Sequence, residues 1–69
     1  MKYIVNLNWD DDAQVWYSEC DNVPLVFEDA SLDELIRRVT EAAPELLELN
    51  GLPKSPHLCF ALNRELSLI

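Results

Sequence analysis

The 69 residues leave room for one domain, and 13 acidic against five basic residues give a net charge of −8. Nucleic-acid binders neutralise phosphates with clustered Lys and Arg, whereas Lys2, Arg37, Arg38, Lys54 and Arg64 are scattered, so direct binding to DNA or RNA is not expected. Anionic membrane is disfavoured by the same sign, and no apolar run approaches the roughly 20 residues of a spanning helix.

The segment from Lys2 to Trp9 alternates with a period of two. Tyr3, Val5, Leu7 and Trp9 share one face, and Lys2, Ile4, Asn6 and Asn8 the other, which predicts a half-buried strand. Asp10, Asp11 and Asp12 break the pattern as turn residues do. A second strand is expected from Gln14 to Cys20, where Val15, Trp16 and Tyr17 favour a pleated surface, so the two runs read as a hairpin. Asp21-Asn22-Val23-Pro24 ends it, because Pro24 cannot donate to a central ladder. Leu25 to Glu28 is long enough for a short third strand.

Ser31 stands three residues before Glu34, the spacing of a capping box in which the two residues satisfy each other's orphan amides. Leu32, Leu35, Ile36, Val39 and Ala43 then recur at helical spacing. Asp33 with Arg37 and Glu34 with Arg38 are spaced for i,i+4 pairs on the solvent side. Pro44 predicts a kink or a restart with a short continuation through Leu49. Gly51 suits the left-handed position that closes a helix. Pro53 and Pro56 bracket a polar connector. The run from His57 to Leu66, with Leu58, Phe60 and Leu62 alternating against Cys59, Ala61 and Asn63, predicts a fourth strand. The expected class is α+β in the order β-β-β-α-β: one domain over residues 1–69, an antiparallel-rich sheet with one helix on one face. Trp9, Trp16 and Tyr17 fall on both parities of the hairpin, so aromatic surface is expected to remain on the far face.

Catalytic and metal chemistry find little footing. An EF-hand loop starting at Asp10 needs glycine at its sixth position and glutamate at its twelfth, where this chain has Val15 and Asp21. His57 and Cys59 would share a strand face, but Cys59 lies among Leu58, Phe60 and Leu62, where a thiol behaves as a small hydrophobe. One glycine in the chain is too few for a phosphate cradle. No enzyme activity, metal or cofactor is expected. Cys20 and Cys59 could form at most one disulfide; without a signal peptide a cytoplasmic location and free thiols are expected. A chain this short has a thin stability margin, so a partner or self-association is expected, and the acidity suits a basic protein.

The opening Met1-Lys2-Tyr3-Ile4-Val5, the turn Asp21-Asn22-Val23-Pro24-Leu25 and the helix entry from Glu28 to Leu35 resemble the HicB-like antitoxin superfamily. Pro44-Glu45-Leu46-Leu47-Glu48-Leu49-Asn50-Gly51 looks like a HicB-related branch of small bacterial domains. The likeness covers about residues 1–51. The family pattern runs Asp-x-Pro-Gly before the third strand, whereas Leu25 follows Pro24 directly here. Many HicB antitoxins also carry a C-terminal DNA-binding domain; only 18 residues follow Gly51 and the last strand needs them, so operator binding is not expected. The resemblance implies a partly RNase H-like fold without nuclease residues. It also implies a partner, a small basic HicA-like ribonuclease toxin neutralised by covering its active surface. Candidate contacts, chosen for position and charge, are Trp16, Tyr17, Glu19, Asp21, Glu28 and Asp29. The alternative is a stand-alone homo-oligomeric module that pairs through a strand edge or the aromatic sheet face, with no toxin.

Overall fold

The alternation of the first segment folds into β1 (Lys2–Asp10), which pairs antiparallel with β2 (Val15–Cys20). The computed structural model describes residues 2–21, 23–53, 57–66 and 68. The expected turn residue Asn22 and the connector's Lys54, Ser55 and Pro56 lie outside the described residues, as do Met1, Ser67 and Ile69. Val5 opposes Cys20, Leu7 opposes Ser18 and Trp9 opposes Trp16, so these six share one face of the sheet. Four residues turn the hairpin: Asp10 Oδ1 accepts from the amides of Asp12 and Ala13, and Gln14 takes a left-handed φ of 57°. The aspartate run is thus a hydrogen-bonded turn, and among the described residues no group of His, Cys, Asp or Glu could hold a metal ion.

The third strand departs from the expected Leu25–Glu28: β3 is only Glu28–Asp29, paired antiparallel with Tyr17 and Trp16. The buried Ser18 hydroxyl is the reason. It donates to the Leu25 carbonyl at 2.8 Å and accepts from the Phe27 amide at 3.0 Å, while the Ser18 amide keeps one backbone bond to the Phe27 carbonyl at 2.9 Å. A tight bend about Pro24, with the Leu25 amide on the Val23 carbonyl at 2.7 Å, sends both Val23 and Leu25 into the core.

Helix α1 (Leu32–Leu49) starts at Ser31, whose hydroxyl accepts from the Glu34 amide. Only half of the expected capping box forms. The Ser31 amide goes to Asp29 Oδ1 at 2.9 Å, which leaves the Glu34 carboxylate to Arg37. The expected Asp33–Arg37 and Glu34–Arg38 pairs are likewise replaced. Arg37 bridges Glu34 and Glu41, while Arg38 reaches back to β3. Nor does Pro44 restart the helix, which is continuous through it. Pro44 and Thr40 both lie on the exposed side of the helix, while Leu35, Val39, Ala43 and Leu47 bury a continuous stripe. The helix closes as a Schellman motif: the Leu52 amide bonds the Leu47 carbonyl, the Gly51 amide bonds that of Glu48, and Gly51 has φ 64°.

β4 (His57–Asn63) is shorter than the expected run to Leu66 and pairs parallel with β1, giving the sheet order β3-β2-β1-β4. After Asn63 the chain leaves the ladder, and the Arg64 guanidinium lies 4.3 Å from the Trp9 ring centroid and 5.7 Å from that of Trp16. The fold is α+β in the expected order, with a mixed sheet. The core lies between α1 and the face bearing Tyr3, Val5, Leu7 and Trp16. Tyr3 ties that face to the loop after the helix by donating to the Pro53 carbonyl at 2.8 Å. Cys20 and Cys59 are free thiols on opposite faces. They lie two strands apart at roughly 4.8 Å per strand, beyond the reach of a disulfide. Among the described residues no helix is long and apolar enough to cross a membrane.

Candidate protein-binding surface

Strand parity sorts the six candidate contacts. Trp16 points toward the helix side and is 9% exposed, in edge-to-face contact with Trp9 at 5.4 Å and beneath Arg64. It supports the sheet from within and cannot be an exposed contact. Tyr17 and Glu19 point to the opposite face and are exposed, and Glu28, opposite Tyr17, joins them. Asp21 is exposed where β2 ends. Asp29 is half-buried and committed within the chain, to the Ser31 amide and, at 3.6 Å, to Arg38. The structure therefore gathers Tyr17, Glu19 and Glu28 on one face, sets Asp21 at its end, and uses Trp16 and Asp29 internally. Of the three aromatic residues, Tyr17 alone reaches the far face; Trp9 lies with Trp16.

A shallow open recess of about 330 Å³ forms at the β3 margin, lined by Tyr17, Val26, Phe27, Glu28 and Arg38. Val26 is 70% exposed between the buried Leu25 and the half-buried Phe27. Its place between two inward residues after Pro24 follows the period of two that the strand reading of this segment already carried. Arg38 forms the floor, donating to the Glu28 carbonyl at 2.8 Å and lying 5.4 Å from the centre of the Phe27 ring. Sequence spacing pointed this arginine at Glu34 and so missed its place here.

The recess itself is lined by one charge of each sign, Arg38 and Glu28. Arg37 is held between two glutamates, Arg38 by β3, and Arg64 by the two tryptophans. Glu19 accepts from Asn8 Nδ2 at 2.9 Å, which fixes its carboxylate on the open face without neutralising it. The margin thus combines an apolar centre of Tyr17, Val26 and Phe27 with Arg38 and Glu28 in its lining, and the exposed carboxylates of Glu19 and Asp21 lie further along β2 and at its end.

A family profile described as "Domain of unknown function (DUF1902)" matches residues 2–67. A solved structure of a hypothetical protein from the extremely thermophilic bacterium Thermus thermophilus is 36% identical. Its TM-score is 0.76, and the alignment covers 100% of this chain and 99% of that one. No curated protein matches the sequence.

Proposed function

The chain belongs to the DUF1902 family, and from its sequence resemblance and its surface charge we propose that it is a protein-binding domain of HicB-like antitoxin type, acting without catalysis. Its partner is a small basic ribonuclease whose active surface it masks. The observation that supports the reading is that each arginine is paired within the chain, while the exposed carboxylates of Glu19 and Glu28 share the open sheet face with Tyr17, beside the apolar Val26 and Phe27. A surface evolved to hold RNA is basic, so an acidic rim attracts it over distance and an apolar centre holds it on contact.

The test begins with capture of the tagged chain from its native cytosol at low salt. The expected catch is a small basic protein near 1:1, released by salt, whose ribonuclease activity the pure chain suppresses. The double variant Glu19→Lys, Asp21→Lys should then slow association at low salt by about tenfold or more and lose that advantage at high salt. An unchanged association rate across salt concentrations overturns the reading, as does a captured partner without ribonuclease activity.

A further inference from the structure

The two edges of the sheet are built differently. β3 is two residues long and acidic, which protects that edge from pairing with another strand. β4 carries no charged residue and no proline from His57 to Asn63, and among the described residues no strand pairs with its outer edge from Leu58 to Asn63. An unprotected edge of this length is an open template for strand addition. Helix α1 comes closest to β2 and β3, and Leu58 and Phe60 of β4 pack at the margin of the core, half-buried. Leu62 on β4, and Leu66 and Leu68 beyond it, are 53%, 67% and 97% exposed.

We propose that β4 is a homodimer interface, at which the β4 strands of two copies pair antiparallel across a two-fold axis into one eight-stranded sheet. Three observations select a second copy. An antiparallel pair is complementary to itself, as an isologous contact requires. In a chain of net charge −8, the uncharged β4 lets two copies approach without bringing like charges together, whereas a basic partner finds no carboxylate on it. The chain also exposes 4933 Å², against about 4,400 Å² for a compact monomer of its 7.9 kDa mass. That excess of roughly 500 Å² is the sign expected of a chain with uncovered surface, and is smaller than the roughly 800 Å² each partner contributes to a standard interface.

The register follows from the pleat. Paired residues must lie on the same face, and full overlap of His57–Asn63 sets Phe60 opposite Phe60 of the second copy. Leu58 then opposes Leu62 on the helix side, and Cys59 opposes Ala61 on the far face. This inference does not rest on the antitoxin reading, because it uses the other edge of the sheet.

Light scattering of the full chain should give twice the chain mass, with a melting temperature that falls on dilution. In a Cys20→Ser background, Ala61→Cys should yield a disulfide-linked dimer on mild oxidation, because its new thiol faces Cys59 of the second copy. Cys20→Ser alone, with Cys59 facing Ala61, should not. Ala61→Lys sets charges into the pair and should leave a folded monomer by circular dichroism. A wild-type chain that stays monomeric at every concentration overturns the proposal. So does a dimer that Ala61→Cys fails to crosslink, since its interface lies elsewhere, or growth into open ladders instead of a closed pair.

Discussion

Ser18 is the one fully buried polar side chain among the described residues, and its hydroxyl is both donor and acceptor to the same passing segment. No buried side-chain polar atom among these residues lacks a partner, which fits the high penalty for an orphan. Ser18→Ala removes the partner of the Phe27 amide and of the Leu25 carbonyl together while changing little volume. It should lower stability by about 1–3 kcal/mol, read from urea unfolding. It should also loosen the recess, because Val26 lies between the two groups released. At the same scale, the Arg37 guanidinium beside Glu34 holds that carboxyl below its ordinary value, and the two glutamates beside Arg37 hold its charge more firmly. A carboxyl depressed in the folded state stabilises above its unfolded titration, and the benefit is lost as pH falls through the folded one. Both side chains are exposed, so solvent screens the pair and the effect is small. Glu34→Gln should lower the melting temperature slightly at pH 7, and the difference from wild type should disappear once the pH falls well below the usual glutamate range.

At the scale of elements, α1 shows how a buried stripe overrides a local breaker. Pro44 lacks an amide and crowds the preceding turn, yet the helix passes through it because Ala43 and Leu47 pack with Leu35 and Val39 on one line. Its exposed position makes Pro44→Ala a clean change: a hydrogen bond from residue 44 to the Thr40 carbonyl becomes available and a clash is removed. Part of that gain is offset because proline also restricts the unfolded chain. Stability should rise by about 1–3 kcal/mol in chemical denaturation, with helical circular dichroism kept or increased. The helix end needs no such compensation, since Gly51 takes its left-handed φ freely and Leu52 closes the motif onto the core.

At the scale of the molecule, the two functional proposals occupy opposite edges of one sheet. The recess lies against β3, and the uncharged strand β4 forms the other margin. A dimer through β4 therefore leaves both recesses open to partners. Salt acts on the two contacts in opposite senses: it screens the attraction between an acidic rim and a basic protein, and it screens the repulsion between two chains of net charge −8. The radius of gyration is 12.9 Å, against about 11 Å for a compact chain of this length, in keeping with the exposed area of the chain.

The sequence by itself determined the order of elements, because alternation in β1 and β4, helical spacing in α1 and the Ser31 and Gly51 signals are all local. It determined the acidic character for the same reason. Residues 14–20 could be read as a strand, but not which of their aromatic rings would be covered, since that depends on where the helix lies. Tertiary structure alone put Trp16 beneath Arg64 and left Tyr17 outside. It also replaced most of the expected strand at Leu25–Glu28 with bonds to one serine, which no propensity reports. It set β4 beside β1: β3 is too short to hold a seven-residue strand, whereas β1 offers a full edge on which Leu58 and Phe60 align with Tyr3 and Val5. Which margin stays open, and so where this chain can meet another, is decided by that pairing between residues more than 50 positions apart.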